Sequence, residues 1–534
     1  MARSRKTTAS PERVLKCPTG IVGLDNITEG GLPRGRPTLV CGGPGSGKTL
    51  LGMEFIVRGI TQFGEPGVFV SFEETAEELA RNFASLGFDL DGLVRRRKLV
   101  VDHVRIERSE LEETGPYDLD GLLVRLGTAI DGVKARRVVL DSVEALFAGL
   151  PNESILRAEL RRLFRWLKDR GLTAIVTGET GDGMPTRHGL GQYVSDCVIY
   201  LDHRVSHEIA TRRLRVVKYR GSRHGTNEYP TVIDENGLSV TPISAVGLDY
   251  PVTSERVSTG VPRLDAMLGG KGFFRGSSIL ISGTAGTGKS SLAVALADST
   301  CRRGDKCLYL SFEESPEQLV RNMRSIGFHL DRWRRQGRLR ISSARPTLHG
   351  LEMHLSSIHK QVKEFEPDVV VIDPISNMMR IGDSDEISSL LIRVVAFLKG
   401  RGITTLLTSL SASGRVVEQS EGGISSLMDT LLLVRILESS GERNRLICVL
   451  KSRGMSHSNQ VREFQLTDKG IRLADVYVGP GETLTGSARL VQEARDRARS
   501  TLGRQKAQRR LRDLRREEAY RQERRDLAAA RKAD

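Results

Sequence analysis

The 534-residue sequence predicts an α/β protein: two tandem domains, each with a mostly parallel central sheet, followed by a basic helical tail. Three observations predict it. Long strings occur twice at a near-constant spacing. Apolar strand-like runs alternate with helical stretches inside each copy. Each copy also carries one glycine-rich string between a strand and a helix.

The duplication comes first, because it sets the domain count. "PTGIVGLDNITEGGLPRGRPTLVCGGPGSGKT" reappears as "STGVPRLDAMLGGKGFFRGSSILISGTAGTGKS", and "VSFEET" as "LSFEES". "RRVVLDSVEAL" parallels "DVVVIDPISNM", and "VVKYRGSRHG" parallels "VLKSRGMSHS". Lys48 and Lys289 are 241 residues apart, Glu73 and Glu313 240, Asp141 and Asp373 232, Lys218 and Lys451 233. A spacing that steady through four landmarks means two complete domains and excludes a short-repeat solenoid. The expected division is an arm over 1–13, domains over 14–247 and 248–486, and a tail over 487–534.

Within the first copy, "RPTLVCG", "GVFVSFE", "RRVVLDS" and "LTAIVTGE" read as buried strands. "KTLLGMEFIVRGI" and "ESILRAELRRLFRWLKDRG" read as the helices between them. Such alternation predicts a parallel sheet covered by helices.

Composition bounds the class. Hydrophobic residues make up 39% and charged residues 28%, within the globular range. No apolar run reaches a membrane span, and "MARSRKTTASPER" lacks a signal peptide's apolar region, so a cytoplasmic protein is expected. Six scattered cysteines without a CxxC pair suit buried apolar positions better than disulfides or zinc. The net charge of +15 is concentrated: Ser487–Asp534 holds sixteen Lys/Arg against eight Asp/Glu. With Tyr520 its single aromatic, this tail lacks the stacking residues of a single-strand binder.

Two strings fit G-x-x-x-x-G-K-[ST]: "GGPGSGKT" from Gly42 and "GTAGTGKS" from Gly283. Their glycines let backbone N–H groups wrap phosphate oxygens, and the following helix offers its positive end. The binding set is Gly45, Ser46, Gly47, Lys48, Thr49 and Leu50 in the first copy. In the second it is Gly286, Thr287, Gly288, Lys289, Ser290 and Ser291. Lys48 and Lys289 would reach the terminal phosphates of ATP, while Thr49 and Ser290 would ligate Mg2+. Asp141 and Asp373 end apolar strands where a Walker-B acid holds magnesium through its water shell. Glu73–Glu74 and Glu313–Glu314 then follow a strand in each copy. Adjacent carboxylates near a triphosphate repel, so one should have a raised pKa and accept a proton. The competing reading makes each pair the acidic first turn of a helix.

With these strings the chain resembles the KaiC family, tandem RecA-superfamily ATPases and autokinases of bacterial clock systems. The resemblance covers about residues 14–490 and is carried by "TGIVGLDNITEGGLPRG", "LDSVEAL", "KYRGSRHGTNEYP", "STGVPRLDAMLGG", "KSRG" and the phosphate-loop and acidic strings. It implies two RecA-like P-loop NTPase domains, and a homohexamer of two stacked rings with ATP between neighbours. Lys218, Tyr219, Arg220, Ser222 and His224 would then serve the adjacent first-ring site. Arg445, Lys451, Ser452 and Arg453 would serve the adjacent second-ring site. Glu313 would share in holding the metal. Cations of this kind stabilise charge on a transferring phosphoryl group; a solvated basic strand end is the plain alternative.

The resemblance also divides the two copies by acceptor. "SEGGISSLMDTLLL" puts Ser425 and Ser426 at the family's phosphorylated positions, with Ser420 at a further hydroxyl position. The family commonly has a Ser–Thr pair where this chain has Ser–Ser. The first-copy stretch "MPTRHGLGQYVSDCVIYL" has no adjacent hydroxyl pair: Tyr193 is followed by Val194 and Ser195. The first acid pair should therefore activate water and the second a serine. "DPIS" after Asp373 differs from "DSVE" after Asp141, with Pro374 fixing the local turn.

Past "GPGETLTGSARLVQEARDRA" the tail stays Pro-free and helix-favouring. Val491, Ala494, Ala498, Leu502, Leu511 and Leu514 give a patchy seam interrupted by Gln505 and Gln508. A solvated helix and a coiled coil pairing two hexamers both fit.

Three functions compete: an ATPase and serine autokinase in timing-type signalling, a nucleic-acid-dependent motor, and a nucleotide-gated scaffold. KaiB-like or response-regulator partners would go with the first or third. A motor needs basic, aromatic channel loops, and the sequence shows no clear one.

Overall fold

The structure is a computed structural model. It describes residues 14–104, 119–144, 153–180, 195–206, 209–241, 252–348, 350–380, 384–411, 425–439, 441–478 and 483–530. The chain divides into two compact units between Asp249 and Tyr250, with Arg345–Glu364 and Met378–Phe397 grouped with the first.

The first half builds one nine-stranded sheet. Its strands are β1 (Pro37–Gly42), β2 (Gly67–Ser71), β3 (Leu99–His103), β4 (Arg137–Asp141), β5 (Thr173–Gly178), β6 (Cys197–Ser206), β7 (Ile209–Tyr219), β8 (Glu228–Asp234) and β9 (Gly237–Val240). The order is β9-β8-β7-β6-β1-β5-β4-β2-β3. From β6 to β3 every pairing is parallel, while β6 to β9 form an antiparallel meander. β1, β2, β4 and β5 are buried along their whole length, as apolar runs covered on both faces require. One face packs α1 (Lys48–Phe63), with Leu51, Met53, Phe55 and Ile56 in the core. The other packs α3 (Asp120–Val133) and α4 (Glu153–Asp169), through Leu126, Ile130, Leu163 and Leu167.

The second half repeats the plan. Its sheet holds β10 (Ser278–Gly283), β11 (Cys307–Ser311), β12 (Leu339–Ser343), β13 (Val369–Asp373), β14 (Thr404–Leu410), β15 (Thr430–Ser439), β16 (Glu442–Ser452), β17 (Arg462–Thr467) and β18 (Gly470–Asp475). The order β12-β11-β13-β14-β10-β15-β16-β17-β18 is that of the first sheet read from its other edge. α5 (Lys289–Arg303) buries Leu292, Val294 and Leu296 against it. The expected α/β class and duplicated domain are thus observed.

Five of the six cysteines are buried and all are free thiols. The tail is one helix, α7 (Gly486–Ala530), and residues 497–526 are exposed throughout. No helix among the described residues is long and apolar enough to cross a membrane.

Candidate active site

In open parallel sheets, ligands gather at the carboxyl ends of the strands, and the predicted groups collect there in both copies. β1 ends at Gly42, and the loop turns through Gly45 and Gly47 at φ +70° and +99°, conformations that glycine adopts without strain. Gly47 caps α1 with no side-chain hydrogen bond, and Gly288 caps α5 in the same way. The first-turn amides of both helices therefore have no side-chain cap and fit an anion. Lys48 Nζ donates to the carbonyls of Gly42 at 2.8 Å and Gly43 at 3.1 Å. Lys289 Nζ makes the equivalent bonds to Gly283 and Thr284, both at 2.8 Å. Ser46, Leu50, Thr287 and Ser291 are buried behind the loops, so Thr49 and Ser290 remain the hydroxyls suited to a magnesium ion.

Asp141 and Asp373 are buried at the ends of β4 and β13. Thr177 donates to Asp141 Oδ1, and Thr408 to Asp373 Oδ1. Tyr309 adds a second donor to Asp373 at 2.5 Å. These hydroxyls were not singled out from sequence, although the repeated Thr in "IVTGE" and "LLTSL" signals the first two. The Asp141–Ser142 and Asp373–Pro374 peptides are both cis.

The register Ser71↔Asp141 and Ser311↔Asp373 brings each acid pair beside the aspartate. Glu74 N–H donates to Ser71 Oγ at 2.9 Å, and Glu314 N–H to Ser311 Oγ at 3.1 Å. The pairs do not form a first helical turn. Thr75 caps α2 (Ala76–Ala84) in a capping box with Glu78, and Ser315 caps α6 (Pro316–Arg324) with Gln318. Both pairs therefore precede their helices. Burial is the main force raising the Glu74 carboxyl above the usual glutamate range; the Asp141 charge comes next and Glu73 contributes least. The shift expected from sequence is present at Glu74, but desolvation leads and mutual repulsion follows.

The basic strand ends lie elsewhere. Lys218 and Leu39 both pair with Val198, which puts Lys218 level with the start of β1, and Arg220 lies beyond it. Burial and the adjacent Arg220 hold the Lys218 ammonium below the usual lysine range, and burial and Arg453 do so for Lys451. Tyr219 is buried and donates to Gly31 O at 2.9 Å, with His224 stacked on its ring. Ser222 accepts from Lys16 Nζ at 2.6 Å, so these three residues brace the strand end. Ser452 is likewise buried, 3.0 Å from Thr430 Oγ1. Arg445 is placed apart from Lys451 and Arg453: its Nε donates to Gly286 O of its own loop at 3.1 Å. Arg212, unnoticed in the sequence, does the same to Gly45 O at 3.1 Å.

Ser425 and Ser426 form a turn before β15, at the same sheet end as Lys451 and Arg453. Lys451 Nζ donates to Ser425 O at 3.2 Å and Arg453 Nη2 to Ser426 O at 2.8 Å. The Ser426 side chain is exposed and that of Ser425 half-buried. Ser420, Tyr193 and Val194 lie outside the described residues, and Ser195 is fully buried.

Residues 17–245 and 257–476 each match the family described as ATPase: KaiC. The chain belongs to the KaiC family of ATPases. A "Circadian clock protein KaiC2" of Synechocystis sp. is 52% identical over 481 residues, covering 90% of this chain and 85% of that protein. The "Circadian clock oscillator protein KaiC" of Thermostichus vulcanus is 38% identical, covering 89% and 92%. Its namesake from Synechococcus elongatus is 36% identical over 479 residues, with the same coverage. A KaiC-family ATPase binds ATP, and the two uncapped loops are the fitting places.

Proposed function

We propose that this protein hydrolyses ATP in its first domain and phosphorylates its own Ser425 and Ser426 through its second, as a ring of copies in clock-type signalling. The names of its relatives supply the clock context. The observation that carries the acceptor assignment is geometric. Ser425 and Ser426 precede β15, whose Thr430 pairs with Ile279 near the start of β10, while the phosphate loop begins at Gly283 at its other end. Each chain thus presents its serines and the cations Lys451 and Arg453 on one side, and its ATP loop on the other. A neighbour in a homohexameric ring joins them.

In this reading bound ATP supplies the phosphoryl group, with Mg2+ held by Thr49 or Ser290 and, in the second domain, Glu313. The Glu73–Glu74 pair accepts the proton of an attacking water, and Glu313–Glu314 that of a serine hydroxyl. Lys218 and Arg220 of one copy, and Lys451 and Arg453 likewise, stabilise the charge that develops on the transferred group.

The test measures phosphate release and phosphoserine on the same samples. Glu313→Gln with Glu314→Gln keeps shape but removes the base, and should cost about 10²–10⁴-fold in labelling of Ser425 and Ser426. Glu73→Gln with Glu74→Gln should depress phosphate release instead. Persistent labelling in the former, or full hydrolysis in the latter, refutes the role of that pair.

A further inference from the structure

A third glutamate reaches the first site. Glu144 lies three residues beyond Asp141, and its Oε1 accepts Glu179 N–H at 2.6 Å. Its Oε2 is 3.2 Å from Ser142 Oγ, and that oxygen is 3.3 Å from Glu73 Oε1. A chain of three side chains therefore runs from the foot of β5 to the acid pair. Gly178 makes room for it: a Cβ there would come within 2.9 Å of Glu144 Oε1.

The second copy stops short. Ser376 occupies the place of Glu144, and its Oγ accepts Leu410 N–H at 3.3 Å, the counterpart of the Glu179 bond. Pro374 stands where the first copy has Ser142, so no hydroxyl is available to continue toward Glu313.

We propose that Glu144 is a positioning residue of the first site: it orients the Ser142 hydroxyl so that this hydroxyl holds Glu73 Oε1 and leaves Oε2 to face the reacting water. The inference rests on the reading of Glu73 and Glu74 as the base for water. A serine hydroxyl has one proton to give, and here two carboxylates border it. An ionised Glu144 would compete with Glu73 for that proton, whereas a protonated one donates to Ser142. Burial, the largest influence on Glu144, pushes its carboxyl above the usual range and favours the donating form. Glu73 is exposed, so a fixed partner is what restricts its rotamers. The second copy, which would receive a serine from another chain, shows no such device among its described residues.

The experiment uses the full chain carrying Glu313→Gln and Glu314→Gln, so that phosphate release reports the first domain. Glu144→Ser installs the second copy's residue and should lower kcat on the order of tenfold, with ATP affinity unchanged, since only orientation is lost. Glu144→Gln can accept from Glu179 N–H and donate to Ser142, and should recover most of that loss. Ser142→Ala should match Glu144→Ser, and the double variant should be no worse than either. The proposal fails if Glu144→Ser keeps full turnover, if kcat and affinity fall together and Gln is no better, or if the two losses multiply. Glu73→Gln with Glu74→Gln in the same background separates the two readings. Full hydrolysis there refutes the base assignment and the proposal with it. Lost hydrolysis there, beside an unaffected Glu144→Ser, refutes the role of Glu144 alone.

Discussion

Asp141 and Asp373 sit at matching strand ends, yet their oxygens are held differently. Each accepts from a threonine, but Asp373 Oδ2 also accepts from the fully buried Tyr309, where the first copy has Phe69. A buried carboxylate that loses a hydroxyl donor loses about 1.5–3 kcal/mol. Tyr309→Phe should therefore lower the unfolding free energy of the second domain by that amount, read from urea denaturation; an unchanged midpoint would show that the bond contributes nothing. Glu74 carries a different consequence. If Glu74 is the proton acceptor of the pair, it must be ionised to work, and burial raises its pKa. As pH falls through that raised value the base is protonated, so first-domain hydrolysis should have an acid limb centred above the ordinary glutamate value of ~4.3. A limb centred at or below ~4.3 would exclude Glu74 as the base.

At the scale of elements, the copies solve one packing position in two ways. β4 begins with Arg137, fully buried, and β13 begins with Val369 at the same register. Arg137 is held by Glu65 Oε2 at 2.8 Å and by the carbonyls of Phe55 and Pro18, each at 2.9 Å. Removing one partner of a buried ion pair strands the other, so Arg137→Ala should destabilise the first domain by about 3–5 kcal/mol. Arg137→Val with Glu65→Ala should cost less than the single change, and a larger cost for the pair would refute this account. Burial raises the Glu65 carboxyl, but its bonds to Arg34 and Arg137 outweigh that and leave it lowered. Its contribution is thus present above the unfolded glutamate pKa and lost as pH falls through the folded one. These elements also show what the sequence could reveal. Strands, helices and the carboxyl-end cluster were legible because apolar period, loop glycines and terminal acids are local signals, each written twice. The partners of those groups were not, since they come from strands remote in sequence. Arg212 read as an ordinary basic strand residue, and Arg445 as a group for a neighbour's site, until the meander lays them on the loop carbonyls of Gly45 and Gly286. Glu144 read as one letter of "DSVEAL" until β5 supplied the Glu179 amide.

At the scale of the whole molecule, the tail is the part that neither domain accounts for. Among the described residues, α7 is tied to the second domain at its start: Ser487 bonds Glu442, Arg489 lies 3.6 Å from Glu463, and Tyr477 donates to Asp496 at 2.7 Å. From Arg497 to Asp526 the helix is exposed, and the ion pairs Arg497–Glu493 and Arg521–Glu517 lie within it at i,i+4 spacing. Such pairs add only about 0.2–0.5 kcal/mol each. The exposed Leu502, Leu511 and Leu514 gain burial only from a partner, and another copy's tail is the partner we expect. Removing 497–534 spares the Tyr477–Asp496 bond, so both domains should keep their unfolding midpoints. If tails join two rings, light scattering of the truncated protein in Mg-ATP should give half the particle mass of the full chain, with phosphate release per chain retained. An unchanged mass would refute pairing through the tail. A shifted unfolding midpoint would instead show that residues past Asp496 support the second domain.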